Sequence, residues 1–152
     1  MNTPPPVLTE LKLTDEMKQA VNGAFGDRRP MVISYVDENN APQLSYRGST
    51  QAFNDTALAV WVRNPDGRIL ESIDKNPAVA MLYGYFLPDE RGFMIFRGRA
   101  RRDDSEAVRN QVYESAHEFE RNQDAERKGV AVVIELDSVS GFFGGNALDM
   151  KR

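Results

Sequence analysis

Six stretches between residues 31 and 145 read as β-strands, and most connections between them are too short to be anything but turns. "MVISYV" (31–36) passes through Asp37–Ala41 into "PQLSYRGSTQAF" (42–53), and Asn54-Asp55 turns the chain into "TALAVWVR" (56–63). "AVAMLYGYF" (78–86) and "RGFMIFRGRARR" (91–102) follow, and "GVAVVIELDSVSGFFGG" (129–145) closes the series in glycines. Parallel neighbours need a crossover of about a dozen residues or more, whereas antiparallel ones join through a tight turn. An antiparallel sheet follows, and six such strands in a chain of this length curl into a barrel. The expected fold class is α+β, a six-stranded antiparallel β-barrel with short flanking helices.

The helices interrupt the strands at two places. Asn64-Pro65-Asp66-Gly67 turns the chain into a helix over 67–75, which Asn76-Pro77 stops. A longer helix over 104–128 has an N-cap at Asp104 or Ser105, with Val108, Val112, Tyr113, Ala116 and Phe119 on one stripe. A further short helix starts at Thr14, carries Met17, Ala20, Val21 and Ala24, and ends near Gly26. Residues 1–13, with Pro4-Pro5-Pro6, read as an extended arm, 14–145 as one domain and 146–152 as a short tail.

Composition excludes several chemistries. The chain has 152 residues and is 41% hydrophobic, enough for one core that needs no disulfide or metal staple. It has no cysteine, which removes disulfides, thiolate nucleophiles and thiolate metal sites, and one histidine cannot build a multi-histidine centre. A net charge of −4 and a pI near 5.1 argue against general nucleic-acid binding. "MNTPPPVLTELKL" lacks the basic and apolar regions of a signal peptide, and no apolar run approaches membrane-spanning length. A cytoplasmic protein is the expectation.

Arg63 and Arg68 stand in an unusual place. They flank the start of the helix at 67–75, where a partial positive charge favours acidic neighbours. Asp66 suits that position as a cap, and the two arginines do not. Either they pair at the surface with Asp66 and Glu71, or they wait for an anion such as a phosphate, which helix N–H groups and guanidinium forks bind well. Gly48 poses a second question. A glycine inside a strand weakens it unless the backbone is closely approached or must bulge.

The order of these elements resembles the pyridoxamine 5′-phosphate oxidase-like, FMN-binding split β-barrels, over roughly residues 14–145. The resemblance rests on a second strand carrying Arg47, a hairpin, and a short helix with basic Arg68 in its first turn. "KNPAVAMLY", "MIFRGRARR" and the aromatic-glycine ending "GFFGG" follow in the same order. It implies an obligate homodimer with FMN at the subunit interface. By position it assigns cofactor contacts to Arg47, Gly48, Ser49, Thr50, Val62, Arg63, Arg68 and Phe143. Flavin chemistry implies an oxidoreductase acting on a small molecule, with NADH or NADPH as conceivable donors. No G-x-G-x-x-G follows a strand, so a nicotinamide would dock on the flavin itself. No residue is singled out as a general acid or base.

Departures from the family pattern narrow the reading. The family oxidases carry lysines where this chain has Ala52 and Ile69, and an arginine-histidine motif where it has Asp149 and Lys151. Those differences speak against oxidation of vitamin B6 and keep the deazaflavin coenzyme F-420 as an alternative. A non-catalytic flavin or haem carrier, or a stress protein of this fold without a cofactor, is the other class. Trp61, Phe142 and Phe143 suit a flavin flank, a dimer seam or core. Tyr83 and Tyr85 suit an interface. His117 reads as a solvated helix residue rather than a haem ligand. The arginines at 97, 99, 101 and 102 read as partners of the acidic residues Asp103, Asp104 and Glu106 rather than a nucleic-acid stripe.

Overall fold

The computed structural model describes residues 3–152. In chain order these form β1 (Val7–Glu10), α1 (Asp15–Gly23), β2 (Met31–Val36), β3 (Pro42–Arg47), β4 (Gln51–Asn54) and β5 (Ala57–Val62). Then come α2 (Arg68–Lys75), β6 (Ala78–Phe86), β7 (Arg91–Arg102), α3 (Glu106–Ser115), α4 (Glu118–Asn122), β8 (Val130–Phe143) and β9 (Asn146–Lys151).

The run over 42–53 is two strands. It breaks at Gly48–Thr50, so β3 pairs with β2 while β4 pairs with β5. The other ladders of the ring run β2–β6–β7–β8 and β8–β5, all antiparallel. The path from β3 to β4 therefore returns to one stretch of chain, and the turn at Gly48–Thr50 closes the ring. That turn becomes a corner of the candidate site.

The expectation of six strands needs correction, because β1 and β9 lie in the segments assigned to the arm and the tail. Gly144 and Gly145, with φ of 60° and 80°, form the tight turn that folds β9 back on β8. Consecutive residues at positive φ match the twist of a hairpin and favour glycine. The edge of β9 then takes β1 as a parallel partner through Val7↔Ala147 and Leu8↔Leu148. Met1 and Asn2 of the arm lie outside the described residues.

Alternation directs the core. Ile33, Met81, Met94, Phe96, Ile134 and Val139 point into the barrel and are fully buried, joined by Met17 and Val21 of α1 and Ile69, Leu70 and Ile73 of α2. Each such side chain contributes about 1.5–3 kcal/mol by leaving water. Strand β5 is buried along its whole length because its two faces meet different layers. Leu58, Val60 and Val62 face the barrel, whereas Ala59 and Trp61 pack under Val112 and Tyr113 of α3.

The helix expected over 104–128 is also two elements. Ser105 caps α3 by accepting from the Val108 N–H. Ala116 is extended, and the His117 side chain accepts from the Phe119 N–H to start α4. Asp124 anchors the chain after α4: its carboxylate accepts from Trp61 Nε1 at 2.8 Å, from the Gly129 N–H at 2.8 Å and from the Lys128 N–H at 2.9 Å.

Candidate functional site

Three elements end around one cleft. Strand β3 ends at Arg47, β5 ends at Val62 and leads into Arg63, and α2 starts at Arg68. These four residues, with Tyr35, Asn64, Gly67, Ile69 and Gln123, line a cavity of about 360 Å³. Gly67, not Asp66, is the N-cap of α2, and no side chain accepts a hydrogen bond there. The reason is local: Asn64 Oδ1 accepts from the Asp66 N–H and folds the Asn64–Gly67 turn, leaving Asp66 outside the cap position. The first N–H groups of α2 thus carry their partial positive charge at the cleft wall without an acidic cap.

None of the three arginines has a carboxylate within 4.0 Å among the described residues, so the alternative in which Arg63 and Arg68 pair with Asp66 and Glu71 does not hold. Arg63 meets only a long contact, from Nη1 to the Gln123 side-chain oxygen at 3.5 Å. Arg47 is half-buried, and its Nε is buried with no partner. Burial lowers the Arg47 pKa and the nearby Arg63 charge lowers it further, against the opposing pull of Tyr35 and Glu120. Asp37 lies in the field of Arg68 but is occupied by its own turn. It accepts from the Ala41 and Asn39 N–H groups and from Gln43 Nε2, and the Ala41 bond leads in holding its pKa low. A concave site lined by three arginines, one with an unsatisfied buried donor, beside an uncapped helix start has the chemistry to receive an anion.

The other nominated positions divide. Gly48 has a packing reason that its sequence does not reveal. A Cβ there would collide with the Glu120 carboxylate and the Phe25 ring. Ser49 is buried, and its hydroxyl donates to the Trp61 carbonyl at 3.1 Å and accepts from the Trp61 N–H at 2.8 Å. The Thr50 hydroxyl donates to the Arg47 carbonyl at 2.6 Å. Both hydroxyls therefore hold the turn that presents Arg47. Phe143 is not brought to the cleft within one chain. Val62 pairs with Val130 at the start of β8, and Phe143 is the last residue of that 14-residue strand. About 40 Å of strand separates the two.

Among the secondary expectations some hold and some change. Trp61 is 4% exposed and belongs to the layer under α3, its ring edge-on to Tyr113 at 5.2 Å. Tyr83 and Tyr85 point inward and are buried. His117 is an exposed cap that packs edge-on against Phe25 at 4.9 Å. The arginines of β7 find most of their acids elsewhere: Arg99 pairs with Asp137, Arg101 with Asp103 and Glu135, and Arg102 with Asp74. Ladder pairing of β7 with β8 places Glu135 opposite Arg99 and beside Arg101, which the chain order alone conceals. Ile69 is 2% exposed and Ala52 packs at the core margin, so a lysine at either place would have to leave the interior.

Tyr35, Glu120 and Gln123 are the residues that sequence reasoning missed. Gln123 lies 60 positions from Arg63, and only the break between α3 and α4 turns it back to the cleft. Among the described residues no helix is long and apolar enough to cross a membrane, and no cluster of three His, Asp or Glu suits a metal.

Comparison with known proteins gives a consistent picture. The family model described as pyridoxamine 5′-phosphate oxidase matches residues 13–141. No curated protein matches the chain in sequence. Among solved structures, an FMN-binding protein from Syntrophomonas wolfei superposes with a TM-score of 0.65 at 6% identity, covering 83% of this chain and 86% of that one. General Stress Protein 26 from Bacillus anthracis gives 0.63 at 18% identity, covering 84% and 94%. HupZ from Group A Streptococcus gives 0.63 at 18% identity, covering 88% and 97%. At these identities the structural matches establish a shared fold.

Proposed function

We propose, starting from the fact that the chain belongs to the pyridoxamine 5′-phosphate oxidase family, that it is an FMN-binding oxidoreductase whose arginine cleft holds the flavin phosphate. The observation that carries this reading is that Arg47, Arg63 and Arg68 line one cavity with no carboxylate among the described residues paired to any of them. A phosphate dianion supplies the missing charge, and the uncapped start of α2 adds N–H groups on the same side. When bound, FMN supplies hydride and electron transfer. The chain's own residues bind, orient and shield. Val62 offers an apolar edge beside the charged wall, and Ser49 and Thr50 keep the turn below Arg47 rigid.

The reading includes a homodimer. The outer face of β3, β2, β6 and β7 leaves Leu44 73%, Tyr46 72% and Phe86 78% exposed, with Leu82 and Phe93 beside them. A groove of about 500 Å³ runs between Pro30, Val32, Tyr46, Leu82, Phe86 and Phe93. Apolar faces of this kind on a protein surface mark contacts with another chain. Tyr46 precedes Arg47, so the seam borders the cleft, and a second copy offers the means of bringing an aromatic such as Phe143 to the cofactor. Asp149 and Lys151 pair with each other on β9, which fits a substrate other than vitamin B6.

The test is a titration of flavin-free protein with FMN, riboflavin, coenzyme F-420 and haem, followed by absorbance and flavin fluorescence. FMN binding well ahead of riboflavin is expected. A preference for F-420 replaces the cofactor and keeps the fold, and binding of none of the four refutes the cofactor reading.

A further inference from the structure

The cleft has a fourth charged neighbour that opposes the other three. Glu120 sits on α4 with its carboxylate over Gly48, the residue that follows Arg47, and it lies in the electrostatic reach of the Arg47 guanidinium. Among the described residues it makes no ion pair and no side-chain hydrogen bond, whereas nearby Glu114 pairs with Arg127 and Glu126 with Lys128. Its placement is not accidental slack. His117 caps α4, Phe119 stacks on Phe25 at 5.6 Å, and Arg121 Nη1 donates to the Ala116 carbonyl at 2.6 Å, so the short helix is held from three sides. The next turn brings Gln123 to Arg63. One small element thus presents a carboxylate to one cleft arginine and a neutral amide to another.

We infer that Glu120 sets how tightly the cleft holds a phosphate: it offsets part of the Arg47 charge, so the ligand is held weakly enough to exchange. The inference rests on the phosphate reading of the cleft and goes beyond it by naming the residue that tunes it. A fixed anion near the site repels an incoming dianion whatever organic group the dianion carries. It leaves a neutral ligand untouched. Over a separation on the order of 6 Å at the dielectric of water, removing one such charge changes affinity for a dianion about tenfold, and physiological salt screens that to about threefold. The effect shrinks as salt rises, because the cleft is open to solvent.

Two variants read the inference in opposite directions. Glu120→Gln keeps the side-chain shape over Gly48 and deletes the charge. It lowers the FMN Kd by about three- to tenfold and leaves the riboflavin Kd unchanged. Gln123→Glu places a new carboxylate at Arg63 and raises the FMN Kd by a similar factor. An unchanged FMN Kd in Glu120→Gln overturns the inference, and so does an equal shift for FMN and riboflavin, which would mark a packing effect on the turn. Inorganic phosphate separates this question from the flavin. Its titration is followed by the NMR signals of the Arg47, Arg63 and Arg68 side-chain N–H groups in wild type and both variants. If flavins fail to bind yet Glu120→Gln tightens phosphate, the cofactor reading falls and the role of Glu120 stands. Phosphate binding that is absent, or indifferent to Glu120, overturns it.

Discussion

Replacing Arg68 by alanine separates a ligand-binding arginine from an ordinary surface charge. Its side chain is exposed, sits in the first turn of α2 and forms no ion pair among the described residues, so the folded protein gains little from it. Stability should change by no more than about 0.5 kcal/mol in either direction. Binding is different. A hydrogen bond from a guanidinium to a phosphate contributes about 1.5–3 kcal/mol, equivalent to roughly a ten- to 150-fold rise in the Kd for FMN. Riboflavin lacks the phosphate and should bind wild type and variant alike. The assay is fluorescence titration of both flavins against wild type, Arg63→Ala, Arg68→Ala and the double variant, beside thermal unfolding of each protein. The double variant should lose less than the sum, since both arginines serve one ligand in one cleft. Equal losses for FMN and riboflavin would place the arginines outside the phosphate site. A large fall in melting temperature for Arg68→Ala would show a structural role instead.

Three other perturbations probe the frame around the cleft. Asp124→Asn replaces a carboxylate that accepts three hydrogen bonds, and should cost about 2–4 kcal/mol in denaturant unfolding, because an amide offers one acceptor and turns donors toward donors. Burial raises the Asp124 pKa, but the bonds from Lys128, Trp61 and Gly129 outweigh it and the net shift is downward. Its stabilisation is therefore present above the ordinary aspartate value near about 4 and lost as pH falls through the lower folded value, so the gap between wild type and Asp124→Asn narrows there. Gly48→Ala should destabilise by about 1–3 kcal/mol by calorimetry, and by less in a Glu120→Ala background, because the added Cβ meets that carboxylate first. Leu82→Glu on the exposed apolar face should yield monomers in sedimentation analysis while circular dichroism stays unchanged. Persistent dimers would move the interface elsewhere.

Local pattern carried most of the barrel. Alternation in "MVISYV" matches the buried and half-buried positions of β2, and the four residues after Phe86 do turn β6 into β7. What failed were breaks and late additions. In "PQLSYRGSTQAF" Gly48 raises the question of a close approach or a bulge but does not announce that hydrogen bonding changes partner there, and the carboxylate that excludes a Cβ lies 72 positions away. The split of the long helix at Ala116 is equally hidden, since the apolar stripe continues to Phe119 across it. The tail became a strand through a tight turn at two glycines that the sequence showed only as the close of the last strand.

The site follows the same logic. Arg63 and Arg68 were legible because they violate a local rule, the preference for acidic residues at a helix start. Arg47 was legible only through the family pattern, since an arginine inside a strand breaks no rule that its neighbours reveal. Glu120 and Gln123 were not legible at all, because their relation to the cleft exists only after α4 has folded back over the turn that closes the barrel. That turn is shared. The residues that close the ring, Ser49 and Thr50, also fix the direction of Arg47, and the helix that covers the ring at Gly48 supplies the opposing charge. If the cleft binds a phosphate as proposed, barrel closure and anion affinity are coupled through these three consecutive residues. A substitution that loosens the closing turn should alter phosphate affinity before it unfolds the chain.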